Sequence, residues 1–508
     1  MVTYVNDLRL SELATGEGSG TWGTTTNTNL ELIAEKFGTA SEALSDASTA
    51  TITMADGTSD AFRSLALTLT GSLSQACTVT LAPNTLSNVW VIQNSAGNTV
   101  TLTQGTGANV VIPNGGIRMV AADGAGSGAA VTDVLDVLGG TGNVGLGSGA
   151  FGTGLTTGTD NVAIGEAAGD ALTTGSDNTL VGDNAGGATT TASNNVAIGS
   201  GALLVNSTGG ENTAVGMTAL TANTTASNNT AVGTAALATN TTGTDNTGLG
   251  RAALEANSTG SNNTAVGSRT LDSNTTGAAV TAVGKSALAA NTTGDSNTAV
   301  GKGSLEANTT GTRNVALGAS SAETLTTGND NTAIGFNALG DESTTSNNTA
   351  IGSYAMYDGA GADGSVAVGT SALANVTGDN NTALGYLALT ANTTGDTNVA
   401  VGANALDANT TGSSNVAVGK GALSVATTVD GNVAVGYDAL ALNTTGTGNT
   451  AVGRDALLAN TTANNNTAVG LDALTANTTA VQNTAVGSQA MITNTTGGNN
   501  VAVGMNSL

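Results

Sequence analysis

Residues 297–313 read NTAVGKGSLEANTTGTR, and at Asn314 the same pattern starts again with Asn-Val-Ala-Leu-Gly. The unit N-T-A-V-G-x-x-A-L-x-x-N-T-T-G-x-x is written twenty-two times between Asn143 and Leu508. Its spacing is 17 residues throughout, apart from one of 18 after Asn143 and one of 16 after Ser365. Self-similarity at a short fixed period is the mark of a solenoid, in which each unit buries its apolar side chains only by stacking on its neighbours.

Numbering the columns of the unit from its first asparagine makes the physics readable. Column four is Val, Ile or Leu in all 22 copies, as in Val215, Ile334 and Leu384, and column five is Gly in all 22. Column nine is Leu in 16 copies and column one Asn in 20. Branched residues favour an extended strand. Glycine after them supplies a bend, or a close backbone approach that a Cβ would block. The columns predict an aliphatic interior at four and nine, with nine on a second strand. The asparagine near column twelve and the Thr-Thr-Gly after it are read as a return turn. The small residues at three and five are read as a tight face against another chain, although Ala also simply suits a narrow coil. Asparagines stacked in column one are expected to hydrogen-bond along a ladder. At the inter-strand spacing of roughly 4.7–4.9 Å, the array predicts a rod of about 100 Å.

Composition supports thin, stacked β-structure. Gly accounts for 73 of 508 residues, charged residues for 9%, and only four Phe and five Tyr accompany two Trp. The formal net charge is −25, which opposes nucleic acid and anionic membrane surfaces. There is no His, so His-dependent general base chemistry and most catalytic zinc sites are excluded. Cys77, in an alternating run, reads as a buried strand thiol. Neither a secretory h-region nor an apolar run of about 18 residues is present, so no signal peptide or membrane insertion is expected.

The chain divides into residues 1–40, 41–138 and 139–508. In the first, Thr28 to Glu31 reads as a capping box opening a short helix over 30–37 that Gly38 stops. Leu30, Ile33 and Phe37 form its apolar face, and Trp22 sits in a loop before it. These four are the candidate anchor and interface residues, and local packing is the plainer role for Trp22. In the second, strands are expected at 64–70, 76–82, 88–93, 98–104, 109–112 and 116–121, as a small sandwich-like β domain around Trp90. Residues 122–130 read as a connector.

Little in the array points to chemistry. Its acids, such as Asp160, Asp177, Asp295 and Asp379, sit at no fixed place of the kind a calcium repeat needs. Phosphate-binding and dinucleotide fingerprints are absent. No metal, cofactor or catalytic residue is expected, and the chain is read as not an enzyme. Phe336, Tyr354 and Tyr357 fall in a less regular stretch, 319–364, and are the candidate exposed binding patch.

The core strings Asn195-Val196-Ala197-Ile198-Gly199 and Ser365-Val366-Ala367-Val368-Gly369 resemble the head repeats of trimeric autotransporter adhesins. Those form a left-handed parallel β-roll with three chains to a head, which implies a homotrimer here. The period is longer than in those heads, and their membrane-anchor domain has no counterpart. Asn6 to Leu10, Gly20-Thr21-Trp22-Gly23, Thr24 to Asn29 and Val110 to Gly115 resemble the start of tail-fibre proteins of marine tailed phages. That resemblance implies an N-terminal virion attachment, to a tail or adaptor protein, followed by a shaft directed at a host surface receptor.

Together these give a mainly β chain: an anchor with a short helix, a small β domain and a long parallel β-solenoid, expected to be a trimer. The expected function is a structural fibre of a phage virion, located on the phage tail. Because the last repeat stops at column nine, a partner or tip protein is expected there. The rival readings are a tailspike-type polysaccharide depolymerase, an ice-binding solenoid with Thr-Thr ladders, and a bacterial surface adhesin.

Overall fold

The computed structural model describes residues 3–4, 10–12, 20–134, 142–152, 154–341, 343–358 and 361–508. It divides into two compact units, Met1–Glu211 and Asn212–Leu508. Of the positions quoted above, Asn6 to Arg9 and the boundary at Leu138 lie outside the described residues.

In the first unit, β1 (Thr3–Tyr4) pairs antiparallel with β2 (Ser11–Glu12). The helix α1 runs Trp22–Lys36, eight residues further back than the sequence predicts. Thr28 and Glu31 therefore lie inside the helix and form no capping box. Threonine hydroxyls take up early carbonyls instead, with Thr26 Oγ1 donating to the Trp22 carbonyl at 2.8 Å. Trp22 is in the first turn rather than in a loop.

All six predicted strands of the β domain are present, as β5 (Ala66–Gly71), β6 (Cys77–Ala82), β7 (Ser87–Ser95), β8 (Val100–Thr103), β9 (Val110–Ile112) and β10 (Ile117–Asp123). Three more join them: β3 (Thr39–Leu44), β4 (Thr49–Thr53) and β11 (Val131–Asp133). They form two sheets, ordered β11-β10-β7-β5-β3 and β4-β6-β8-β9. Successive strands from β3 to β8 alternate between the sheets, and within each sheet they pair parallel. The domain thus coils as it is built, and β9 to β11 close it by antiparallel pairing. The predicted connector, 122–130, holds the end of β10 and one 3-10 turn.

Trp90 is fully buried between the sheets, as predicted. Its ring stacks on Phe62 at 4.5 Å, and Nε1 donates to the Phe62 carbonyl at 2.7 Å, so its polar edge is satisfied. Cys77 is buried in β6, and burial pushes its thiol pKa up.

The solenoid contributes one three-residue strand per coil, 22 in all: four in the first unit and eighteen in the second. Within each unit, successive strands pair parallel in register, for example Thr264↔Thr281, Ala265↔Ala282 and Val266↔Val283. At about 4.8 Å per coil, the strands of the second unit span about 80 Å.

The inside and outside of the coil differ from the sequence reading. Column three, usually Ala, is buried in every coil, while columns two and four face outward. A strand alternates its side chains, so columns three and four cannot both point inward. The interior is narrow enough to take Ala at three and Leu at nine, and column four is left outside. Leu249 of column four is 46% exposed. Nor is column nine on a second strand: it lies in the turn region with left-handed backbone, φ 51° at Leu220 and 52° at Leu237.

The column-five glycines adopt φ near +135°, as at Gly216 and Gly233. A Cβ on Gly402 would meet the carbonyl carbon and oxygen of Gly419, on the next coil, at 2.6 Å. The expected close approach is therefore between glycines of successive coils, not towards another chain.

Candidate functional site

Two asparagine ladders set the coil on which any surface site rests. In column one, Asn178 Nδ2 donates to Asn161 Oδ1 at 2.9 Å and to the Ala192 carbonyl at 3.0 Å, and its backbone N–H also reaches Asn161 Oδ1 at 3.0 Å. Column twelve, read from sequence as a turn, is a second buried ladder. Asn274, Asn291 and Asn308 each donate to the asparagine of the preceding coil, at 2.8–2.9 Å. A buried primary amide has two donors and one acceptor to satisfy, and stacking identical coils satisfies them by repetition.

The acids are spread over several columns, as expected, but some share one place. In column sixteen, Asp295 Oδ1 accepts from the Ala278 N–H at 2.7 Å, and Asp396 Oδ1 from the Asp379 N–H at 2.8 Å. Ser261 does the same for the Thr244 N–H. They are turn caps on the coil before. Among the described residues no group of His, Cys, Asp and Glu is arranged to hold a metal ion. The column-thirteen threonines are also engaged: Thr224 Oγ1 donates to the Thr241 carbonyl at 3.1 Å.

The predicted patch comes together. Phe336 meets Tyr354 edge to face at 5.4 Å, and Tyr354 meets Tyr357 the same way at 5.1 Å. Phe336 is 48% exposed and Tyr354 is also exposed, whereas Tyr357 is half-buried. Local sequence makes the room, because a Cβ on Gly340 would sit 2.5 Å from the Tyr357 ring. Buried Met356, in the leucine column, holds the coil below. The cluster offers ring faces and edges to solvent, a surface suited to the C–H faces of a sugar or to another apolar group.

Two further exposed aromatics escaped the sequence reading: Tyr386 and Tyr437, 56% and 49% exposed. Both stand in column six, as Phe336 does, and that shared column was the available signal. Lys420 Nζ lies 5.8 Å from the centre of the Tyr437 ring, a cation–π contact across successive coils.

The predicted anchor residues form a second candidate surface. Trp22, Leu30 and Phe37 are exposed and Ile33 is half-buried. At 100° per residue they share one face of α1. Within the chain the helix packs by another face. Leu32 is its buried residue. Lys36 Nζ donates to Asn88 Oδ1 and to the Val89 carbonyl at 3.0 Å, 5.9 Å from the centre of the Trp90 ring. Burial lowers the Lys36 pKa. Glu35 lies 3.6 Å from the buried Arg63. Charged groups at the C-terminal end thus fix α1, and its apolar stripe stays uncovered by the described residues.

Among the described residues no helix is long and apolar enough to cross a membrane. The chain matches no known protein family, no curated protein and no solved structure.

Proposed function

We propose that this chain is a structural fibre of a phage virion, attached through its N-terminal region and spacing or presenting host-receptor recognition. The observation that carries the reading is the uniform stack of coils, whose strands repeat without insertions that would build groove walls. A shaft needs that uniformity, and a polysaccharide-cleaving groove would need paired carboxylates between walls. The uncovered apolar face of α1 supplies a surface of the kind an attachment site uses.

Self-association belongs to the same reading, on a corrected face. Within each unit, column four presents a continuous line of Val, Ile and Leu outward, with Thr or Val of column two beside it. An aliphatic line of this length, repeated on three copies, can close a trimer about one axis. Sedimentation should give three times the 48.6 kDa chain mass. Immunogold imaging of intact particles should place the protein at the tail, with slender rods in purified samples. Compact monomers, or label on the capsid alone, would sink the proposal.

The same face favours one other reading. A flat, regular Thr-and-Val surface is a candidate for binding ice, and here it is columns two and four, not the hydrogen-bonded Thr-Thr columns, that would do so. Thermal hysteresis in a freezing assay separates the two.

A further inference from the structure

The cations and aromatics of the second unit are not scattered. Residues 212–508 contain seven Lys and Arg and five Phe and Tyr. Column six, one of seventeen, takes five of the cations (Arg251, Lys285, Lys302, Lys420 and Arg454) and three of the aromatics (Phe336, Tyr386 and Tyr437). The same stretch contains eighteen Asp and Glu, and none stands in column six. A ridge serving only solubility in an acidic chain would hold acids, as column six does at Glu166 and Asp183 of the first unit; in residues 212–508 it holds cations and rings instead. All eight side chains are exposed.

The geometry follows from the fold. Column six is the first residue after the glycine bend, so the eight side chains stand on one line along the stack. Phe336, Tyr386 and Tyr437 are each three coils apart, about 14 Å at strand spacing. Lys420 and Arg454 lie on the coils either side of Tyr437, and Arg454 Nε also sits 3.3 Å from Asp455 in column seven. From Tyr386 to Arg454 the ridge therefore alternates ring platforms with positive charge, and Asp438, Asp455 and Asp472 of column seven flank it with carboxylates able to accept from hydroxyl groups.

We propose that column six of residues 212–508 is a binding track for an extended acidic polysaccharide. Sugar C–H faces stack on the rings, carboxylates of the polymer meet Lys420 and Arg454, and hydroxyls donate to the column-seven acids. Charge density decides against nucleic acid. DNA carries one charge per roughly 1.7 Å, whereas the ridge offers at most one cation per coil of about 4.8 Å inside an acidic protein. The proposal deepens the host-recognition part of the fibre reading and rests on it only for biological context.

The test is titration calorimetry on the full chain with polygalacturonate, dextran and poly(dT). Serine is the substitution to use, because natural coils carry Ser268, Ser353 and Ser488 in column six. Polygalacturonate should bind, and more weakly as salt rises. The pairs Tyr386→Ser with Tyr437→Ser, and Lys420→Ser with Arg454→Ser, should each weaken it at least about tenfold with unchanged melting. No binding, binding that ignores both pairs, or equal affinity for dextran or poly(dT) would overturn the proposal. Rods and trimers seen alongside failed binding would discard the track and leave the fibre reading standing.

Discussion

Asn257 donates its side-chain Nδ2–H to Asn240 Oδ1 on the preceding coil at 2.8 Å, and to the Gly260 carbonyl of its own coil at 2.9 Å. Both amides are fully buried. One side chain thus ties its own turn shut and joins it to the coil before. Replacing Asn257 with Ala should cost about 1–3 kcal/mol, because two buried acceptors lose a donor. Asn257→Asp should cost more, since a carboxylate cannot donate and brings a buried charge. Denaturant melts of the two variants check the order, and an Asp variant as stable as wild type would refute the ladder's role.

Where the ladder stops, an acceptor is stranded. Asn409 Oδ1 is buried without a hydrogen-bond partner, and the next coil carries Ala426 in column twelve and Val429 in column fifteen. Val429→Gly restores the small residue usual there. Adding Ala426→Asn in that background should stabilise by about 0.5–1.5 kcal/mol, by supplying the missing donor. The comparison is between the double variant and Val429→Gly alone.

The glycine column makes the sharpest demand. Gly402 has φ +137°, and its missing Cβ would overlap the Gly419 backbone at 2.6 Å. Gly402→Val therefore combines backbone strain with a clash and should destabilise by more than about 2 kcal/mol. Hydrogen exchange should show the loss of protection concentrated in the coils on either side.

Acid should loosen the N-terminal β domain. The Asp123 carboxylate accepts from the Ala130 N–H at 3.0 Å and the Ala125 N–H at 3.1 Å, which holds its pKa below the usual 3.8. Asp46, bonded to the Ser74 backbone and hydroxyl, is lowered in the same way. A depressed folded pKa gives stability that is present above the unfolded value and lost as pH falls through the folded one. The stability these two carboxylates contribute should therefore be lost from about pH 5 towards about pH 2, and Asp123→Ala should flatten that limb, while Asp60, raised by burial, acts in the opposite sense.

The period, the strand residues and the need for glycine were all legible in single columns. Which side of the strand faces in was not. Val and Leu in columns four and nine look like core partners on hydrophobicity alone, but a three-residue strand leaves only its middle side chain inside, and that is Ala. Column twelve misled for a related reason. Asn before Thr-Thr-Gly has turn chemistry, and only stacking reveals that its amide points inward. Phe336, Tyr354 and Tyr357 were found because an irregular stretch drew notice, whereas Tyr386 and Tyr437 sit in regular coils. Trp22 and Phe37 are legible as members of one apolar stripe and are exposed, yet the docking of α1 through Lys36 and Glu35 depends on contacts with distant β7 and Arg63 that no local pattern reports.

Identical coils carry a hazard: a chain slipped by one whole unit would keep almost every contact described. Leu180 works against this. It occupies column three where the other coils have Ala or Gly, and its side chain fills the space beside Gly169 and Gly186, where a Cβ would lie 2.7 Å from it. A slip that removed the coil carrying Gly169 would set that leucine against Phe151, the column-nine residue of the coil before. This irregular coil is thus a landmark in a monotonous sequence, telling the folding chain which turn is which.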